Sequence, residues 1–223
     1  MPADFIFMLT RNDKTVPNSL ACAQEAISAQ VTNIGLKDVG VSNQQLKAVI
    51  RILQKAKVTT YLEVVSLDAQ SELKSAEMAL QFGVDFLLGG TRPQLIAPLV
   101  KNHPIKYYPF VGKITGHPSQ LLGTIQDIAL QARQISSIEG VDGLDLLAYR
   151  YKGDVPKLIQ AVNQASFKPI IIAGSIHNKE RIELIESANV QGFTIGTAAF
   201  ENRFNRHKSG LRAQLEAILE IVV

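Results

Sequence analysis

Residues Pro169-Ile170-Ile171-Ile172-Ala173-Gly174-Ser175-Ile176 and Gly192-Phe193-Thr194-Ile195-Gly196-Thr197-Ala198-Ala199-Phe200 decide the architecture of this chain. In the first, Ile170 to Ala173 form an unbroken apolar run, as a strand covered on both faces requires. Both runs end in a glycine followed by a small hydroxyl residue, Gly174-Ser175 and Gly196-Thr197, and a helical pattern comes next. Strand, tight turn and helix in that order is the repeating unit of a parallel sheet.

The same alternation extends back to the N-terminus. Short runs rich in Val, Ile, Leu and Phe predict strands at 5–10, 33–39, 59–66, 84–89, 105–111, 143–148, 169–174 and 192–196. Helical spacing of apolar residues, as in Leu46, Val49, Ile50 and Leu53, predicts helices at 19–29, 43–55, 69–82, 93–101, 119–136, 155–165, 179–187 and 211–221. Eight units in 223 residues average about 28 residues each, which suits βα units with short connections. An open flavodoxin-like sheet needs only five or six of them. A closed (β/α)8 TIM barrel uses all eight and leaves no exposed sheet edge, so the expected fold is a single α/β barrel domain over 1–223.

In such barrels chemistry sits at the C-terminal ends of the strands. A glycine there lets backbone N–H groups approach an anion, and the neighbouring hydroxyl adds another hydrogen-bonding group. IIIAGSI (170–176) paired with FTIGTAAF (193–200) resembles the ribulose-phosphate-binding barrel group, which includes histidine- and tryptophan-pathway isomerases and sugar-phosphate epimerases. The resemblance implies that Gly174, Ser175, Gly196 and Thr197 hold a substrate phosphate. It is specific over the last third of the chain and architectural elsewhere. TRNDKTVPN, GLKDVGV, YLEVVSLD and GLDLLAYRYKGD match no particular member. Strand 3 reads Glu63-Val64-Val65-Ser66-Leu67-Asp68 and lacks the Asp-x-Lys-x-x-Asp run of the decarboxylase branch. Histidine is absent from the ends of strands 2 and 3, where a metal-dependent ribulose-phosphate epimerase would need it.

The acid–base candidates fall at or within strands. Lys37 and Asp38 are adjacent, so only one of them can point into the barrel. Glu63 and Asp145 lie inside apolar strands, where an unpaired carboxylate is costly, so each must meet a cation or stay protonated. Lys37, Glu63 and Asp145 converging in the barrel mouth would satisfy one another and form a proton-transfer set. Lys113 after strand 5, and Arg150 with Lys152 after strand 6, are candidate substrate ligands, and solvated loop charge is the alternative for each. Arg11, Asn12 and Asp13 after strand 1 read as a turn. Asp85 and Asp142 begin strands, at the opposite end, and read as structural. Gly89-Gly90-Thr91-Arg92, ending strand 4, is another candidate anion or hydroxyl contact, with a tight turn as the alternative. Among the histidines His177 follows the glycine turn at 174–175 and could help neutralise an anion. His117 before Pro118 reads as a turn element that could reach the mouth, and no spacing of His or acids points to a metal.

Composition narrows the class further. Hydrophobic residues are 46% and charged residues 19%, so the chain has a core to bury. A net charge of +3 is too balanced for nucleic acid, and no apolar run approaches the ~18 residues of a membrane span. A lone Cys22 leaves no internal disulfide, and the N-terminus has no signal-peptide pattern, so a cytoplasmic location is expected. Apolar residues on the helix faces leave room for a homodimer. The function expected is isomerisation or epimerisation of a small phosphorylated sugar or keto acid without a cofactor. A carboxylate is the base and Lys37 the enolate stabiliser. Schiff-base lyase chemistry at Lys37 or Lys113 is the enzymatic alternative, and a phosphate-metabolite-binding barrel without catalysis is the other.

Overall fold

The computed structural model describes residues 2–222. Eight strands, β1 (Asp4–Met8), β2 (Asn33–Lys37), β3 (Thr59–Val64), β4 (Phe86–Gly89), β5 (Lys106–Tyr108), β6 (Leu144–Leu146), β7 (Ile170–Ile172) and β8 (Gly192–Ile195), form one sheet. Their order is β6-β7-β8-β1-β2-β3-β4-β5, with parallel pairing throughout. The last seam, β5 to β6, is joined by one parallel bridge between Phe110 and Asp145. There the Asp145 N–H donates to the Pro109 carbonyl (2.9 Å) and the Asp142 N–H to that of Tyr107 (2.9 Å). The (β/α)8 barrel is therefore the fold, and the open sheet is excluded.

Around it run α1 (Ser19–Ser28), α2 (Asn43–Lys55), α3 (Ala69–Phe82), α4 (Pro93–Val100), α5 (Ile125–Ser136), α6 (Val155–Ala165), α7 (Lys179–Ser187), the short α8 (Thr197–Phe200) and α9 (Leu211–Ile221). Five of these start on a polar cap. Ser42, Asp68, Thr124, Asp154 and Asn178 each accept a hydrogen bond from the N–H three residues on. Such caps satisfy donors that the first turn leaves free. None of the described helices is long and apolar enough to cross a membrane.

Three local features depart from the sequence reading. Residues 119–124 are not helical, because Gly123 has φ +121° and the Thr124 cap starts α5 only at Ile125. Gln120–Leu122 instead pairs antiparallel with Lys113–Thr115. Thr10–Arg11 and Lys14–Thr15 form a second small ribbon above β1, and α8 follows β8 directly.

Side chains alternate along each strand, and the alternation separates two cores. Phe5, Phe7, Ile34, Leu36, Leu62, Leu144, Ile170, Ile172 and Phe193 pack outward under the helices. Ile6, Met8, Tyr61, Leu88, Tyr108 and Ile171 fill the barrel itself. At the N-terminal end, Asp85 ties down Thr60 through its N–H and hydroxyl (2.7 Å each), and Asp142 accepts from the Tyr107 N–H (3.0 Å). Both acids are structural.

Candidate active site

The alternation that turns Ile6 and Tyr61 inward also turns Lys37, Glu63, Asp145 and Thr194 inward, nearer the C-terminal strand ends. Asp38, one residue past Lys37, faces outward and accepts from the Val65 N–H and the Ser66 and Ser75 hydroxyls. Lys37 and Glu63 are direct neighbours across β2 and β3. The Lys37 Nζ lies 3.1 Å from Glu63 Oε1, close enough for an ion pair but off that oxygen's hydrogen-bonding direction. The lysine is 6% exposed and the glutamate 2%.

Asp13 completes the pair. Asn12 and Asp13 have φ of 51° and 61° and form a two-residue turn between Arg11 and Lys14, the geometry that suits a tight hairpin. Thr15 anchors this ribbon to the end of β2, its hydroxyl donating to the Lys37 carbonyl (2.8 Å) and accepting from the Lys37 N–H (2.9 Å). Asp13 then reaches over the mouth and accepts from Lys37 Nζ (2.9 Å), the Ser119 N–H (2.7 Å) and Arg150 Nη2 (3.1 Å). One carboxylate thus joins the ribbon after β1 to the segments after β5 and β6. In the sequence it reads only as a turn residue.

Charge settles the protonation states. Burial alone would raise the Asp13 pKa, but the Lys37 and Arg150 charges, with hydrogen bonds from Lys37 and the Ser119 N–H, prevail and lower it to about 2. Burial opposes charge on Lys37 as well, yet Glu63 and Asp13 outweigh it and raise its pKa, so the amine stays an ammonium. Glu63 is pushed up, first by burial and also by the Asp13 charge, against the pull of Lys37.

A cavity of about 370 Å³ opens over these groups. Lys37, Glu63 and Asp13 border it on one side, and Gly174, Ser175, Gly196 and Thr197 border it on another. Gly174 has φ +85°, and a Cβ there would lie 2.5 Å from Arg150 Cγ, so only glycine lets that arginine cross the turn. Ser175 follows in the left-handed region at φ 55°, uncommon for serine and a cost the surrounding structure must hold in place. A Cβ at Gly196 would lie 2.6 Å from Thr10 Oγ1 and 2.8 Å from the Thr10 carbonyl. Thr197 Oγ1 accepts from the Asn12 N–H (3.1 Å), while the N–H groups of Gly174, Ser175, Gly196 and Thr197 have no acceptor among the described residues.

The structure therefore brings together Lys37, Glu63, Arg150, Gly174, Ser175, Gly196 and Thr197, and adds Asp13. Two expectations are corrected. Lys113 lies on the ribbon 113–122, where its neighbour Ile114 turns inward and is buried, so Lys113 points to solvent and does not line the cavity. Arg150 is not a free loop cation: its Nη1 donates to the Ser119 carbonyl (3.0 Å) and its Nη2 to Asp13, leaving Nε buried without a partner.

Asp145 is inward and fully buried, but it does not line the cavity, and neither of its carboxyl oxygens has a hydrogen-bond partner among the described residues. Burial and the Glu63 charge push its pKa well up, with Lys37 opposing, so the fold favours the neutral acid. A raised folded pKa contributes stability that is full below the ordinary Asp range and is lost as pH rises through the folded value. Asp145→Asn keeps the shape and cannot ionise. Its unfolding free energy in urea is expected to fall less steeply than wild type as pH rises above the ordinary Asp range. Parallel curves would show that Asp145 is not the group strained by ionisation.

Among the described residues, no group of three or more His, Cys, Asp or Glu is placed to hold a metal ion. No protein-family model matches the chain, and a search of curated proteins finds no match. Solved structures do resemble it. The tryptophan synthase alpha chain from Legionella pneumophila subsp. pneumophila is 14% identical, with 99% of this chain and 92% of that chain covered and a TM-score of 0.67. A structure described as native KDPGal is 14% identical over 99% of this chain and 94% of that one, with a TM-score of 0.65. A citrate synthase is 12% identical over 87% and 86%, with a TM-score of 0.63. At such identities the likeness establishes architecture alone, and what this chain shares with them is the (β/α)8 barrel.

Proposed function

We propose that this barrel is an enzyme that moves a proton at the carbon beside a carbonyl of a small phosphorylated sugar or keto acid, as an isomerase or epimerase does. One observation carries the reading: a charged lysine and a buried glutamate share a cavity with two glycine-hinged turns whose N–H groups are free. Free amides at such turns suit phosphate oxygens. A phosphate held there would fix the reacting carbon over the floor, so that remote binding energy serves the chemical step. Glu63, with its raised pKa, is a stronger base than an ordinary carboxylate and suits proton abstraction, and the Lys37 ammonium suits the oxygen on which charge develops. Asp13 keeps Lys37 charged and aimed.

The same charge state weighs against Schiff-base cleavage, because a nucleophilic amine needs a depressed pKa and Lys37 sits between two carboxylates. Borohydride is therefore expected to leave Lys37 unmodified in the presence of carbonyl substrates.

The direct test is incubation with pentose and hexose phosphates in D2O, read by mass spectrometry. Deuterium is expected at one carbon next to the carbonyl of at least one of them. Gly196→Ala, which forces a Cβ against Thr10, is expected to weaken binding of that compound at least about tenfold. No incorporation from any of them, with wild-type binding in Gly196→Ala, overturns the proposal.

A further inference from the structure

A second hollow lies immediately outside the first, and His177, Glu201 and Arg203 border both. Its other walls include Arg11 and Arg206. Arg11 is held beside α8 because the next residue, Asn12, donates its N–H to Thr197 Oγ1 (3.1 Å). Three arginines and one carboxylate, Glu201, thus border this hollow, and Arg203 Nε meets that carboxylate only at 3.4 Å. Arg11 and Arg206 have no carboxylate partner within ion-pair distance among the described residues. Such a concentration of guanidinium forks matches phosphoryl oxygens, which they bind in pairs of parallel hydrogen bonds.

From the continuity of the two hollows we infer that the ligand does not end at its first phosphate: it carries a second phosphoryl group beyond it, as a diphosphate does, held by Arg11, Arg203 and Arg206. This deepens the proposed function and rests on the phosphate lying at the turns 174–175 and 196–197. A diphosphate would place its inner group on the free amides and its outer group among the arginines. A substrate with a single terminal phosphate would leave the outer hollow unused.

Inorganic phosphate and pyrophosphate, each alone in metal-free buffer, are the probes, with binding measured by calorimetry. Wild type is expected to bind pyrophosphate at least about tenfold more tightly than phosphate. The double variant Arg11→Gln/Arg206→Gln, at two residues that border only the outer hollow, is expected to lose that preference while its phosphate affinity stays within about twofold. Arg51→Gln, an exposed arginine bordering neither hollow, controls for loss of positive charge and is expected to keep the preference. Equal affinities in wild type, or a preference that survives in the double variant, overturn the inference and leave the phosphate reading standing. If neither anion binds, both fall.

Discussion

Replacing Glu63 by Gln is expected to slow deuterium exchange into the substrate by about 10²- to 10⁴-fold, the range for loss of a positioned base. The amide matches the carboxylate in size, and Lys37 keeps its bond to Asp13 (2.9 Å), so the fold and the ligand cavity should survive. The loss should appear in kcat with little change in KM. Wild-type activity should show an acid limb shifted above the ordinary carboxylate range, because burial raises the Glu63 pKa and only the ionised form accepts a proton. The substituted amide cannot titrate, so that limb disappears with the rate. Lys37→Met is expected to cost about 10²- to 10³-fold through loss of the charge facing the developing oxyanion. Exchange at the wild-type rate in Glu63→Gln would remove Glu63 from the chemistry.

Asp13→Ala should be the most damaging single change to the fold. It strips a carboxylate from Lys37, Arg150 and the Ser119 N–H at once, leaving cations at the mouth with fewer partners. Breaking a buried ion pair by removing one partner costs about 3–5 kcal/mol. In a domain of this size that lowers Tm by roughly 6–20 °C. Acid should separate this role from simple packing. Because Asp13 sits at about 2 in the folded protein against an ordinary 3.8, its contribution is present above the ordinary value and is lost as pH falls through the folded one. Wild type should therefore lose on the order of 2 kcal/mol from this group across that window, and Asp13→Asn should not. An Asp13→Ala protein with wild-type Tm would show that Lys37 and Arg150 find other partners, and the positioning role would fall.

What could be read along the chain follows from periodicity. Helices α2, α3, α6 and α7 match the sequence reading at both ends, because polar caps and an apolar face are local properties, and α9 matches on its apolar face after Gly210. Strand alternation likewise allowed only one of Lys37 and Asp38 inside, and the apolar runs around Glu63 and Asp145 committed both to a low-dielectric interior. The ribbon 113–122 was hidden because Leu121 and Leu122 continue the apolar spacing of α5, and only the backbone at Gly123 breaks it.

Asp13 had a faint signal: Asn12-Asp13 between paired residues is a hairpin dipeptide, but a hairpin does not say where its acid points. Local patterns determined the eight βα units, the inward faces and the two glycine turns. Closure of the sheet decided the rest. It carried the segments after β1, β5 and β6 into reach of one another, so that Asp13, Ser119 and Arg150, up to 137 positions apart in sequence, share hydrogen bonds. Closure also turned Lys113 away and sealed Asp145 beneath the cavity. Charge and desolvation act through space, and distances across a barrel mouth are not written in the spacing of residues along a chain.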